Sequence, residues 1–212
     1  MKRLLTALAV TTMVLVGCGL QDDATTDASA AAPNATEQAG SQPPPEAVSL
    51  LGKHGLDGKN TVEIIDQLDR LGGADRPTDL MASVRPGALV LSSGGDEVSL
   101  AIPEDRFYLS VAPYVDRTHD CFHHSLTTCT GELAMTDVRV QIVDETNDRV
   151  LVDETRTTFP NGFTGFWLPR DIEGTLRVTS DGKTGEVNFA TDEDAPTCLT
   201  TLQLVSGVPS RG

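Results

Sequence analysis

The chain has 212 residues and a formal net charge of −15, from 16 basic and 31 acidic side chains. So acidic a surface excludes electrostatic binding to nucleic acid or to an anionic lipid surface, and no partner is named by charge alone.

The first residues, Met1-Lys2-Arg3 followed by the apolar run Leu4–Val16, have the layout of a secretory signal. The run is too short for a stable membrane span. It closes in Leu15-Val16-Gly17-Cys18, a lipobox, so residues 1–18 are expected to be a lipoprotein signal. Cys18 is then the first mature residue, acylated and anchoring the chain to a membrane surface on the extracytoplasmic side of the cell envelope. In that compartment disulfides persist. Setting Cys18 aside leaves three cysteines, so at least one is free, metal-bound or paired with another molecule.

Residues 19–45 are rich in Ala, Thr, Asp, Gln and Pro, with almost nothing to bury, and read as a disordered tether. Residues 46–116 are expected to form a helical lead-in followed by a β-hairpin subdomain. A short helix over Glu46–His54 is broken by Gly55-Leu56-Asp57-Gly58, and His54 is expected at a solvated turn. Asn60 with Glu63 three positions on forms a capping box for a second helix, whose apolar face is Val62, Ile65, Leu68 and Leu71. Arg85-Pro86-Gly87 and Gly94-Gly95-Asp96 are turn signals around the strand Ala88–Leu91, and Glu97–Ile102 alternates as a half-buried strand does. A further strand holds Phe107, Leu109 and Val111.

Residues 117–206 are expected to be a β-rich metal-binding domain, with 207–212 as a tail. Val138, Val140 and Ile142, then Val150 and Val152, Phe163–Leu168, Leu176 and Val178, and Val187 and Phe189 mark short strands between polar turns. The class is therefore α+β: a short helical N-terminal region, then a mainly antiparallel β-sandwich-like domain.

The chemistry concentrates in Thr118-His119-Asp120-Cys121-Phe122-His123-His124-Ser125-Leu126-Thr127-Thr128-Cys129. This stretch holds two cysteines and three histidines, the donors that soft and borderline metals prefer. Cys198 lies far down the chain, and the expectation is that the fold returns it here so that three sulfurs bind copper. Three thiolates and an imidazole suit Cu(I) and also Zn(II). The alternative is one structural disulfide plus a buried thiol, with three pairings open. Asp120 caps a turn or orients a histidine, and Trp167 is expected in the core. No Cys-x-x-Cys motif, Ser-His-Asp order, paired-carboxylate motif or phosphate loop stands out, so hydrolysis and thioredoxin-type exchange lack support.

The runs Ala112-Pro113-Tyr114-Val115, Thr118-His119-Asp120-Cys121, His124–Cys129 and Gly131-Glu132-Leu133 resemble the CueP family of periplasmic copper-binding proteins. So do Asn161-Gly162-Phe163, Trp167-Leu168-Pro169-Arg170 and Thr197–Leu204, and the resemblance spans roughly residues 46–206. It implies copper resistance in the envelope, with Cu(I) held by Cys121, Cys129 and Cys198. It implies supply of copper to an envelope copper-zinc superoxide dismutase. Among the histidines, His124 lies in the better-matching run and is the favoured assistant, ahead of His123 and His119. The expectation is thus a copper-binding protein and not an enzyme. A thiol protein that reduces Cu(II), and a disulfide-stapled surface module without metal, are the alternatives.

Overall fold

The computed structural model describes residues 45–207. The signal, the lipobox with Cys18, the tether as far as residue 44 and the tail residues 208–212 lie outside the described residues.

Two helices come first, α1 (Pro45–Lys53) and α2 (Thr61–Asp69). In α1, Ala47, Leu50 and Leu51 recur at helical spacing and are buried. Asn60 begins α2 with the expected capping box: its side chain accepts from Glu63 N at 3.0 Å, and Glu63 accepts from Asn60 N at 2.9 Å. The buried face differs from the expected one. It is Ile64, Ile65, Leu68 and Asp69, while Val62 and Leu71 are only partly covered. The face shifts because α2 also docks on a strand pair, where Trp167 Nε1 donates to Asp66 at 2.9 Å and Tyr108 Oη donates to Asp69 at 2.6 Å. His54 corrects another expectation. Its side chain is only 7 % exposed, because the turn folds back so that Leu56 N donates to Leu51 O.

β1 (Met81–Arg85), β2 (Ala88–Ser93) and β3 (Asp96–Ala101) form an antiparallel meander. The β2–β3 turn is Gly94-Gly95, both at positive φ, as a two-residue hairpin requires. This small sheet and the two helices share one core, with Leu50, Ile64, Leu80, Leu89, Leu91 and Tyr108.

β4 (Arg106–Val111) is the central strand of a second sheet. It pairs antiparallel with β8 (Thr164–Pro169) and parallel with β11 (Cys198–Leu199). Every residue from Phe107 to Val111 is buried, so β4 has apolar neighbours on both faces. Tyr108 joins the helical core, while Phe107, Leu109 and Val111 join a second core. That second core lies against a five-stranded antiparallel sheet in the order β12 (Val205–Ser206), β10 (Lys183–Ala190), β9 (Glu173–Ser180), β6 (Asp137–Asp144), β7 (Arg149–Thr157). The architecture is therefore α+β with mainly antiparallel sheets, and β4–β11 is its parallel pairing. The three-stranded sheet lies between these two cores, and its end at Ser110, Val111 and Cys198 adjoins the residues that follow.

Candidate metal centre

The stretch 118–123 is irregular, not extended, so the every-second-residue geometry of a strand does not apply to it. Only His124–Ser125 form a strand, β5, added to the free edge of β1 with Val84 opposite His124. This pairing turns the His124 side chain inward, fully buried. Thr197 holds the arrangement together. Its hydroxyl donates to Val84 O at 2.6 Å and accepts from His124 N at 3.0 Å. The backbone N–H groups of Thr197 and Cys198 both donate to Phe122 O. These bonds bring Cys198, at the start of β11, beside the loop that carries Cys121.

Cys129 sits one loop further on. Its N–H donates to Ser125 O at 3.1 Å, and its sulfur accepts from Ser125 N at 3.4 Å. The loop then passes over the Asn161-Gly162 turn, where Gly131 N donates to Asn161 O at 2.7 Å. Glycine is needed on both sides. A Cβ on Gly131 would stand 2.5 Å from Gly162 O, and Gly162 has φ +83.

The outcome is a third small core of Ala112, Phe163 and Cys198, packed by Cys121 and Cys129. Within it the donor atoms of Cys121, His124, Cys129 and Cys198 all lie within 4.8 Å of one another. Cys121 and Cys198 are joined as a disulfide with Cα atoms 5.6 Å apart, and Cys129 is a free thiol. Cys129 Sγ is 3.5 Å from Cys121 Sγ, and Cys198 Sγ is 3.6 Å from His124 Nδ1. Thiolates about 2.3 Å from one metal stand roughly 4 Å apart, so opening the disulfide gives a donor set of the right size.

His123, His119 and Asp120 fall outside that group. His123 is half-buried, with its ring edge against Phe122. Asp120 is exposed. The aromatic neighbour of the sulfurs is Phe163, whose ring centroid is 4.5 Å from that of His124. Trp167 instead packs at the helical core, 4.7 Å from Tyr108.

A residue that the motif does not advertise orients His124. Asp69 is fully buried at the end of α2, and His124 Nε2 donates to its Oδ1 at 2.7 Å. Tyr108 and Ser110 donate to Oδ2 at 2.6 and 3.2 Å, and Asn161 Nδ2 donates to Oδ1 at 3.2 Å. The carboxylate is thus saturated by donors, as a buried charge must be. With Nε2–H committed to Asp69, Nδ1 is the nitrogen left facing the sulfurs, the arrangement that metal-ligating imidazoles use.

The charges follow. Burial would lower the His124 pKa, but the Asp69 charge and hydrogen bond, then Cys129, outweigh it and raise it to about 9. Burial would raise Asp69, but the His124 charge and the bonds from His124, Tyr108 and Ser110 hold it below its ordinary 3.8. Burial would raise Cys129, but the His124 hydrogen bond and charge, the Ser125 N–H and Arg76 bring it below 9.0. The shifts thus favour imidazolium at His124, carboxylate at Asp69 and thiolate at Cys129 over their neutral forms.

A pH dependence follows for the metal-free protein. His124 has a folded pKa above its unfolded 6.5, so its contribution is full below pH 6.5 and is lost as pH rises through about 9. Asp69 is depressed, so its contribution is present above 3.8 and is lost as pH falls through its lower folded value. In Cys129→Ser, where that thiol neither titrates nor adds to the His124 shift, the unfolding midpoint should hold from about pH 4 to 6.5 and decline as pH rises beyond that. A profile flat to pH 10 would contradict the buried pair.

A family model described as Periplasmic copper-binding protein CueP matches residues 63–203. A solved structure described as "Crystal Structure of S.CueP" is 42 % identical, with a TM-score of 0.71. That similarity covers 75 % of this chain and 97 % of the other. No curated protein matches this chain.

Proposed function

The chain belongs to the CueP family of periplasmic copper-binding proteins, and we propose on that footing that it sequesters Cu(I) at Cys121, Cys129, Cys198 and His124. The observation that carries the reading is that these four soft donors, drawn from two distant segments, gather within 4.8 Å. An envelope location fits the membership. Among the described residues no helix is long and apolar enough to cross a membrane. Attachment through lipid on Cys18 is part of this proposal and is supported by the lipobox alone.

The residues divide the task. The three sulfurs supply soft anionic ligands, which favour Cu(I); zinc is the other ion this set would take. His124 offers Nδ1 once that nitrogen loses its proton, while Asp69 keeps the ring oriented through Nε2. Phe163 and Ala112, which pack on the sulfurs, exclude water and so disfavour release by hydration. Ligation needs deprotonated donors, so uptake releases protons and strengthens with pH. In this reading the held copper passes on to an envelope copper-zinc superoxide dismutase. That step is tested by asking whether the loaded protein activates the copper-free enzyme faster than free copper held at the same activity.

A second reading has its own support in the Cys121–Cys198 disulfide. Two thiols giving up one electron each to two Cu(II) ions yield that disulfide, two Cu(I) ions and two protons. Both readings make one prediction about the oxidation state. The disulfide form lacks two of the three thiolates, so it should take up no Cu(I), whereas the reduced form should take up about one per chain. Anaerobic titration of the two forms, with free thiols counted in each, checks this. Equal uptake by both forms would remove Cys121 and Cys198 from the site. Consumption of two thiols per two Cu(II) reduced would favour the second reading; no Cu(II) reduction would leave sequestration alone.

A further inference from the structure

We propose that the cleft beside Cys129 is the port through which Cu(I) enters and leaves, and that His119 is its outer ligand. This inference rests on the metal reading above and adds a position outside the four-donor group.

The cleft holds about 540 Å³, bordered by Arg117, His119, Thr128, Cys129, Gly131 and Glu132. It reaches the sulfurs from the side of Cys129. Cys121 and Cys129 are both half-buried, while Cys198 is 2 % exposed and His124 is 0 % exposed, and of the two half-buried sulfurs it is Cys129 that lines the cleft. Cys129 is also the sulfur that the disulfide leaves free.

His119 shares this cleft, and its Nε2 is shut from solvent without any hydrogen-bond partner. Leaving a buried polar atom unpaired costs about 1–3 kcal/mol, and such atoms in native folds call for an explanation. The ring is not there because its loop is loose. On one side Glu132 accepts from the N–H groups of Val115, Asp116 and Arg117 at 2.7, 3.0 and 3.2 Å. Next to His119 the Thr118 hydroxyl donates to Thr200 O at 2.6 Å, and further along the loop Phe122 O accepts from the N–H groups of Thr197 and Cys198, bonds that do not depend on the disulfide. The imidazole is thereby held against the edge of Phe163, whose ring also packs on His124. A nitrogen donor fixed in the entrance, with no hydrogen-bond partner to give up, is what a ligand-exchange relay requires.

The transfer is a series of ligand exchanges. A Cu–N bond to His119 forms as a bond to the incoming carrier breaks. A Cu–S bond to Cys129 then forms, and Cys121, Cys198 and His124 complete the set as the His119 bond is released. Copper stays Cu(I) throughout, no electrons move, and displaced protons go to water.

A relay changes rates in both directions and leaves the equilibrium nearly untouched, which separates it from a resident ligand. The test uses the full reduced chain loaded with Cu(I), its affinity measured anaerobically and its copper then taken by excess bicinchoninate in a stopped-flow experiment. His119→Gln should slow transfer at least about tenfold, roughly 1.4 kcal/mol of barrier, with affinity within about threefold of the parent. His119→Met restores a soft donor and should transfer near the parent rate. His123→Gln, on the same loop but outside the cleft, should behave as the parent. Parent-like transfer by His119→Gln overturns the proposal. So does a joint fall in rate and affinity for both His119 variants, which would make the ring a structural part or a resident ligand. If the parent chain holds no Cu(I), the affinity arm reports the failure of the metal reading itself, and the port falls with it.

Discussion

Cys198→Ser should lower the affinity of the reduced protein for Cu(I) at least about a hundredfold, the upper end of what losing an outer-shell partner costs at a metal site. Cys198 is a donor in this account and not a supporting residue. It is 2 % exposed, it faces His124 Nδ1 at 3.6 Å, and its backbone is fixed by the Phe122 carbonyl and by β4. Serine is close in volume, so the fold should survive, and it removes the soft ligand. Cys121→Ser and Cys129→Ser should weaken binding comparably, because a shared site loses a thiolate in each case. Competition against a coloured Cu(I) chelator measures all three. A loss confined to Cys129→Ser would mean that the single free thiol binds copper alone. Stability lost with affinity kept would favour the disulfide-stapled module.

Asp69→Ala should destabilise the metal-free protein by about 3–5 kcal/mol, the usual cost of removing one partner from a buried charged pair. The carboxylate accepts from His124, Tyr108, Ser110 and Asn161. Alanine leaves those donors without their common acceptor in a place that water does not reach. Asp69→Asn keeps the shape but loses the charge. It should cost less stability, yet still reduce Cu(I) affinity about 10–100-fold, because the imidazole is no longer fixed with Nδ1 towards the sulfurs. Denaturant unfolding of both variants, beside the chelator competition, measures each effect. A change within about 0.5 kcal/mol for Asp69→Ala, the range of ordinary surface substitutions, would show that the network does not hold the centre.

The reasons why Asp69 escapes the sequence motif are physical. The sequence reading follows apolar residues along α2, and a carboxylate breaks that pattern. Yet Asp69 is four residues after Ile65 and adjacent to Leu68, so it lies on the face those two define. A carboxylate on the buried stripe of a helix is itself a signal, since it must find donors elsewhere in the fold. The capping box of α2 and the Gly94-Gly95 hairpin were legible because they are local, decided by residues within one turn of each other. The burial of β4 on both faces was not legible: Phe107, Leu109 and Val111 alternate with Tyr108 and Ser110, whose hydroxyls are covered because both donate to Asp69. The pairing of Cys121 with Cys198 was not legible. It spans 77 residues, and the choice among three pairings depends on how β11 lies beside β4. Trp167 and Phe163 illustrate the same limit: aromaticity identifies both as core residues, but only the register of β8 and the Asn161-Gly162 turn assigns Phe163 to the sulfurs. The irregular course of 118–123 depends on distant residues too, since the Thr197 and Cys198 N–H groups recruit the Phe122 carbonyl.

The most direct test of the central claim is copper K-edge X-ray absorption on the reduced protein loaded with one equivalent of copper. The account predicts Cu(I) with a first shell dominated by three sulfurs at about 2.3 Å, the metal–thiolate distance, and one nitrogen scatterer from His124. A first shell of nitrogen and oxygen alone, or one with a single sulfur, would contradict a centre built from Cys121, Cys129 and Cys198.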